Sequence, residues 1–350
     1  MANRLSRSVR KVNEDRAVLA ALIAALGSSL VAGTMPELLK LIPGKSATLS
    51  ILLGVGFVIL AVSWISLHGR SGVGVAVFLK PTPTSTWSDS RLLRHAAETK
   101  SRHTSFFYVN VDELHSGLTI DERAGLTQRV IEARLKEEDS KGSSHISFYL
   151  TCSLGNAYRL AQQTFNGTQG AQLRVLEFRE ISVHQVSNMG SNHPLPPLML
   201  EGTPNGPQAT QSTYPQLAQM IRCTPTNLPT PPQAANRHAL IVNLTGNSTM
   251  ITEATAAASG MTSGRYTVGA TDVCSSALVI ESAAPSFPND KAAYNELLKK
   301  ITQDWSLYLS TQSANHQSPA EGRLFIQAPS SLAFSLGALL PSSTKVVDYI

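Results

Sequence analysis

Two apolar stretches decide the fold of this chain: Val73-Gly-Val-Ala-Val-Phe-Leu79 and His238-Ala-Leu-Ile-Val-Asn-Leu244. Each has the length of a β-strand, and each gives way to small polar residues, at 81–86 and 245–249, before a stretch that predicts a helix. Apolar runs of strand length that alternate with helices are typical of a mostly parallel sheet buried on both faces. The sequence therefore predicts an α/β fold.

The order of elements around these two stretches is repeated. The first is followed by predicted strands at 105–111, 146–151 and 172–178 and by predicted helices at 121–139 and 154–165. The second is followed by predicted strands at 277–281 and 346–349, a long helix at 290–309, and a strand–turn–helix segment from residue 323. We therefore predict two tandem α/β units, residues 71–186 and 237–350.

A proline-rich segment, residues 187–236, separates the two predicted units. Proline lacks the amide donor that a central strand needs, so this segment cannot lie in the middle of a sheet. It is interpreted as a linker, with a lid over a binding site as the alternative.

The first seventy residues differ from the rest of the chain. Residues 17–36 and 46–67 carry no charged side chain, and each stretch has about the 20 residues that a helix needs to cross a bilayer. We therefore expect residues 17–70 to form a two-helix transmembrane hairpin after a basic cytosolic segment, residues 1–16. The excess of basic residues before the first helix predicts a membrane protein with its N-terminus and its α/β region in the cytoplasm. A cleaved signal peptide is the alternative for the first apolar stretch.

Small residues recur at every fourth position of the first expected membrane helix: Ala17, Ala21, Ala25, Ser29 and Gly33. Small side chains let helices approach closely in lipid, so this face predicts association between hairpins. The alternative is that it contacts only the second helix of its own hairpin.

The composition argues against several classes of protein. Beyond residue 70 the numbers of acidic and basic side chains are equal, which is unlike a binder of long nucleic acid. The cysteines, Cys152, Cys223 and Cys274, are far apart and have no metal-ligand spacing. The chain contains no phosphate-binding-loop, zinc-protease or serine-hydrolase motif. We therefore expect no cofactor, no metal and no enzymatic activity.

Polar residues follow four of the predicted strands. Ligands of open α/β sheets bind beyond the carboxyl ends of the strands, where hydroxyls, amides and helix-start N–H groups can contact phosphates and base edges. Helix capping is the alternative explanation for each residue taken singly. The candidate ligand-binding residues are Lys80, Thr82, Thr84, Ser85, Ser153, Asn156, Arg159, Thr245, Asn247, Ser248, Pro329, Ser330 and Ser331.

The last thirty residues resemble a known family. Gly322-Arg-Leu-Phe-Ile-Gln-Ala-Pro-Ser-Ser-Leu-Ala-Phe-Ser-Leu-Gly-Ala-Leu-Leu-Pro341, followed by Lys345-Val-Val-Asp-Tyr349, resembles the C-terminal signature of the SAVED domain. In that family a hydrophobic strand ends in a turn with proline between small residues, and a short Ala/Leu helix ends in glycine before a last strand. Duplication of a CARF-like, Rossmann-like unit is also the family's architecture, and the resemblance covers residues 72–350.

This resemblance implies a function. SAVED domains sense cyclic oligonucleotides in bacterial CBASS anti-phage systems, and a SAVED domain behind two transmembrane helices resembles the membrane-effector branch. The implied protein binds a cyclic di-, tri- or tetranucleotide, self-associates, and disrupts the lipid bilayer of the inner membrane in abortive infection. The alternatives are a membrane-tethered enzyme that processes cyclic nucleotides and a scaffolding membrane protein that binds another protein.

Overall fold

The structure is a computed structural model with two compact regions, Met1–Ser71 and Gly72–Ile350, and the two α/β units belong to the second region. It describes residues 72–80, 102–111, 117–139, 145–165, 180–185, 198–201, 208–209, 220–229, 236–245, 247–261, 264–266, 268–269, 272–283, 287, 291–316 and 318–349, with scattered positions at 33, 54–61 and 96–100.

The predicted transmembrane hairpin is corrected by the structure. Among the described residues, no helix combines the length and the apolar character that crossing a membrane requires. Most of the hairpin, including Ala17, Ala21, Ala25 and Ser29, lies outside the described residues, whereas Gly33 is helical and exposed. The predicted fold class is therefore wrong in its membrane part, and the predicted inner-membrane location is corrected on the same finding. The α/β part of the prediction is confirmed, because the structure contains two mostly parallel sheets whose strands alternate with helices.

The first sheet has six strands. These are β1 (Val73–Leu79), β2 (Ser105–Asn110), β3 (His145–Cys152), β4 (Glu180–Gln185), β5 (Leu198–Glu201) and β6 (Gln208–Ala209), in the order β2-β1-β3-β4-β5-β6. The strands β1 to β4 are parallel, and β5 and β6 are antiparallel additions beyond β4. Helix α1 (Ile120–Asp139) follows β2, and helix α2 (Leu154–Phe165) follows β3.

The second sheet has five strands. These are β7 (Ile221–Asn227), β8 (Arg237–Asn243), β9 (Ser276–Ser282), β10 (Glu321–Gln327) and β11 (Thr344–Val346), in the order β11-β10-β8-β9-β7. All are parallel except β7, which pairs antiparallel with β9. The helices are α3 (Ser248–Ala258) after β8, α4 (Lys291–His316) after β9, and α5 (Ser330–Leu339) after β10.

The two sheets repeat one topology. When the parallel strands of each unit are numbered along the chain, both sheets have the order 2-1-3-4. The first strand of each unit is central, and it pairs with its second and third strands. Central strands covered on both faces must be apolar throughout, and accordingly every residue of β1 is buried.

The segment predicted to be a linker contributes strands to both sheets. It contains β5 and β6 at one edge of the first sheet and β7 at one edge of the second. Pro225 lies in β7 opposite Leu278, and an edge strand tolerates proline because its outer side needs no ladder hydrogen bond.

The equivalent helices α2 and α5 pack against each other in the core between the sheets. The Phe334 ring of α5 lies 4.9 Å from the Phe148 ring and 6.1 Å from the Phe165 ring, measured between centroids. A methyl group built on Gly337 would overlap the carbonyl oxygen of Tyr158 and lie 3.1 Å from the Cβ atom of Ala161. Glycine therefore allows the two helix backbones to touch at this point.

Candidate functional site

Contacts along α2 bring the carboxyl ends of the two sheets to the same side of the molecule. The hydroxyl of Tyr158 and the Nε2 atom of Gln162 donate hydrogen bonds to the carbonyl of Thr344, at 3.0 and 2.7 Å. One turn nearer the start of α2, Gly155 lies beside Asp348, just beyond the carboxyl end of β11. Helix α2 therefore runs antiparallel to β11. Because α2 also begins at the carboxyl end of β3, that end of the first sheet lies next to that of the second.

We call this region the shared edge. It consists of the carboxyl ends of β1, β3, β8, β10 and β11 together with the first turns of α1, α2, α3 and α5.

In the first unit, Asn156 connects two parts of the shared edge. Its side chain is 1% exposed, and its Nδ2 atom donates a hydrogen bond of 3.0 Å to the carbonyl of Lys80 at the end of β1. The Nη1 atom of Arg123 donates to the same carbonyl at 3.1 Å. The backbone N–H of Asn156 donates to the Ser153 hydroxyl at 3.3 Å, so Ser153 caps α2. These bonds hold the end of β1 against the start of α2.

Arg159 forms the strongest polar contacts of the shared edge. Its Nη1 and Nη2 atoms donate to the two carboxylate oxygens of Asp348 at 2.6 and 2.7 Å. Its Nε atom lies 3.1 Å from the Oδ1 atom of Asp121, near the start of α1. Short, parallel bonds between a guanidinium and a carboxylate are among the strong hydrogen bonds of proteins. Arg159 therefore ties α1 and α2 of the first unit to the segment after β11 of the second.

In the second unit, two asparagines organise the end of β8. Asn247 is the N-cap of α3, and its Oδ1 atom accepts from the N–H and the hydroxyl of Thr249 at 3.2 and 2.7 Å. Its Nδ2 atom lies 3.4 Å from the Oε1 atom of Gln327 at the end of β10. The Oδ1 atom of Asn243 accepts from the N–H and the hydroxyl of Thr245, both at 3.3 Å. Thr245 and Ser248 are exposed beside this network.

The start of α5 differs from the starts of α2 and α3. Pro329 occupies the N-cap without a side-chain capping bond, and its carbonyl accepts from the N–H groups of Leu332 and Ala333. Ser330 and Ser331 are buried. At the start of α5, the shared edge is therefore formed by the first turn of a helix whose side chains are buried.

The structure thus places the candidate residues in two groups. Lys80, Ser153, Asn156 and Arg159 meet around the start of α2, and Thr245, Asn247 and Ser248 meet between β8 and α3, next to β10. Pro329, Ser330 and Ser331 lie at the start of α5. Thr82, Thr84 and Ser85 lie outside the described residues.

Sequence reasoning missed several residues of the shared edge: Asp121, Arg123, Asn243, Gln327 and Asp348. Most of them lie far in sequence from the residues that they contact, so no local pattern marks them. Asp348 lies inside the strand predicted at 346–349, whereas β11 ends at Val346 and leaves Asp348 beyond the strand.

Burial determines the chemistry of the thiol at this edge. Cys152 ends β3 directly before Ser153, and desolvation raises the pKa of its thiol to about 12. The thiol is therefore protonated at neutral pH and is a poor nucleophile. Among the described residues, no group of three or more His, Cys, Asp or Glu side chains is arranged to hold a metal ion.

The comparisons with known proteins found likenesses among solved structures. No protein-family model matches the chain, and neither does any curated protein. A structure of Acinetobacter baumannii Cap4, a SAVED/CARF-domain containing receptor with the cyclic trinucleotide 3'3'3'-cAAA, matches with a TM-score of 0.42 and 9% sequence identity. The match covers 85% of this chain and 55% of the Cap4 chain, so this chain spans about half of that protein.

Proposed function

We propose that the chain is a receptor for a cyclic oligonucleotide, which binds at the shared edge. The observation that carries this proposal is the duplication, because two units of one topology present the carboxyl ends of their strands on the same side. A cyclic oligonucleotide also consists of repeated units, each with a phosphodiester and a base. Two similar half-sites side by side suit such a ligand.

The polar groups of the shared edge fit a ligand of this kind. The starts of α2, α3 and α5 direct backbone N–H groups toward it, which favours phosphate oxygens. The Asn247 amide and the exposed Thr245 and Ser248 hydroxyls suit base edges and ribose oxygens. The balanced charge beyond residue 70 supports a ligand with a few phosphates over a long polyanion, which needs a basic surface.

We further propose that the chain binds its ligand without hydrolysing it. The thiol of Cys152, which ends β3 two residues before α2, has a raised pKa and is therefore a poor nucleophile at neutral pH.

Self-association on binding completes the proposal. A ligand shifts an equilibrium between states only by its difference in affinity for them, so it must bind the associated form more tightly than the single chain. The membrane disruption implied by the sequence depended on the corrected hairpin and is not proposed.

The test is thermal unfolding of the purified 350-residue chain with a panel of cyclic di-, tri- and tetranucleotides that includes 3'3'3'-cAAA. A ligand at a hundred times its dissociation constant should stabilise the native state by about 2.7 kcal/mol. Linear oligonucleotides of the same composition are the controls, and light scattering should detect a larger particle with the active ligand. A panel without effect, or equal stabilisation by linear and cyclic compounds, would overturn the receptor proposal.

Two further measurements make this test specific. Arg159→Gln should abolish the stabilisation, whereas Arg134→Gln should not. Arg134 is a matched control because it pairs with Glu137 on the exposed face of α1, where both side chains are more than half exposed. Mass spectrometry of the ligand after incubation should show it intact. Cleavage of the ligand would contradict the receptor proposal and would indicate an enzyme.

A further inference from the structure

The carboxylate of Asp348 occupies the position at the start of α2 where an anionic ligand would meet Arg159. Its Oδ1 atom lies so close to Gly155 that a Cβ atom there would approach it to 2.6 Å and the Nη1 atom of Arg159 to 3.0 Å. The absence of a side chain at Gly155 therefore makes room for this carboxylate beside the first turn of the helix. Both terminal nitrogens of Arg159 are engaged by it.

The backbone on either side of Asp348 is anchored to the second unit. The N–H of Val347 donates to the carbonyl of Leu324 at 2.9 Å, and Tyr349 forms a β-bridge with Tyr266. The Asp348 side chain itself is 38% exposed, whereas that of Arg159 is 16% exposed. The Asp348 carboxylate is therefore more exposed than the guanidinium that it contacts, whereas the backbone on either side of it is held by its own contacts with the second unit.

We propose that Asp348 is an internal competitor of the ligand, an inference that rests on the proposed function. In the unliganded chain its carboxylate neutralises Arg159. When a cyclic oligonucleotide binds, one of its phosphodiester oxygens takes over the Nη1 and Nη2 donors, and the Asp348 side chain turns to solvent. A guanidinium binds carboxylate and phosphate with the same pair of parallel N–H groups, so one anion can replace the other.

This exchange raises the ligand concentration that the receptor needs for binding, and it involves both units. Arg159 also contacts Asp121 on α1, so this arginine keeps a carboxylate partner after the exchange. Release of Asp348 removes a charged link between α2 and the segment after β11. Ligand binding is therefore coupled to the contact between the two units.

The experiment measures the affinity of the full 350-residue chain for the best ligand of the panel, by calorimetry, in the wild type and in Asp348→Asn. The amide has the shape of the carboxylate without its charge, so it competes less with phosphate. We expect the dissociation constant to fall by about tenfold, within the usual range of coupling between two binding events. Glu137→Gln is the matched control, since it also removes one negative charge but pairs with Arg134 on the exposed face of α1. It should leave the affinity within twofold of the wild type.

A second variant and a second measurement keep the result interpretable. Asp348→Ala should also bind more tightly than the wild type, and both variants should melt at a lower temperature than the wild type without ligand. This combination of lower stability and higher affinity is not expected of a contact with a structural role alone. Equal or weaker binding by both variants, with tight binding by the wild type, would overturn the inference while leaving the receptor intact. Failure of all chains to bind any cyclic oligonucleotide would overturn the proposed function and this inference together.

Discussion

The two α/β units share a topology but divide the work differently. Both have parallel strands in the order 2-1-3-4, and in both a helix follows the third strand directly. The first unit supplies the arginines of the shared edge, Arg123 and Arg159, through α1 and α2. The second supplies amides and hydroxyls through Asn243, Thr245 and Asn247, and the carboxylate of Asp348. One fold repeated in one chain thus provides two chemically different halves of the shared edge.

The difference is clearest between α2 and α5. Residues 330–338 of α5 are buried without exception, and they carry no charge. In α2 one face is buried, while Arg159 and Gln162 reach across to the segment around β11. Helix α5 therefore belongs mainly to the core, whereas α2 connects the core to the shared edge.

The edges of the sheets differ as well. In the first sheet, the antiparallel strands β5 and β6 lie beyond β4, the fourth parallel strand. In the second sheet, the antiparallel strand β7 lies beyond β9, the second parallel strand. Each unit therefore covers a different parallel edge, and the segment between the units supplies the cover in both cases. Short antiparallel strands of this kind close edges that would otherwise be open to other chains.

The contact between α2 and α5 gives the largest expected effect. In Gly337→Ala the new methyl group meets the backbone carbonyl of Tyr158, which cannot rotate away as a side chain can. We expect a loss of about 2–3 kcal/mol of unfolding free energy, measured by denaturant titration. If Gly337→Ala were neutral, the close backbone contact between the repeated helices would be wrong.

A matched control is Gly125→Ala in α1. A methyl group there would lie 3.7 Å from the Oε1 atom of Gln163, which is an ordinary contact. Because alanine favours a helix over glycine, this variant should gain up to about 1 kcal/mol. The opposite signs of the two changes would separate a close backbone contact from helix propensity.

The fold could be predicted largely from the sequence, because period and composition are local signals. The apolar runs at 73–79 and 238–244 mark the central strands, and the polar turn at 245–249 contains the start of α3. The strand predicted at 172–178 lies outside the described residues, and the fourth strand of the first sheet that the structure describes is β4 at Glu180–Gln185. The membrane hairpin was inferred from length and lack of charge, and the described residues contain no helix that could span a bilayer.

The candidate site could be predicted only in part. Residues that cap helices, such as Ser153 and Asn247, lie where the strand ends indicated. Two of the contacts that shape the site join distant residues, as in Arg159 with Asp348 and Asn156 with Lys80. Such pairs follow from how α2 packs against both units, which no single stretch of sequence contains.

The second prediction compares the two asparagines of the shared edge. Asn156→Ala removes a buried donor from the carbonyl of Lys80, although Arg123 still donates to it, so we expect a loss of about 1.5 kcal/mol. Asn247→Ala removes an N-cap and should cost about 1 kcal/mol, which Asn247→Asp should largely restore because it keeps the acceptor. Denaturant titration measures all three. If Asn156→Ala cost less than Asn247→Ala, the first unit would not depend on this link between β1 and α2.

The third and smallest effect concerns the pH dependence of stability. It isolates the contribution of the Cys152 thiol, in the first unit, from that of the rest of the chain. Burial raises the pKa of Cys152 to about 12 from its ordinary value of 9.0, so the folded chain binds this proton more tightly than the unfolded chain. The resulting contribution to stability is complete below pH 9 and is lost as the pH rises toward 12. At pH 9.5 the loss from this thiol is on the order of 1 kcal/mol relative to pH 7.5.

Cys152→Ala removes that contribution and leaves the other raised pKa values in place, including that of Cys274 in the second unit, which burial also raises to about 12. We therefore expect the stability of Cys152→Ala to fall less than that of the wild type between pH 7.5 and 9.5, by an amount on the order of 1 kcal/mol, whatever the absolute cost of the lost side chain. Denaturant midpoints at the two pH values measure this difference. Identical pH dependence in both chains would mean that the end of β3 is open to water in solution, and the start of α2 would then be less firmly packed than the start of α5.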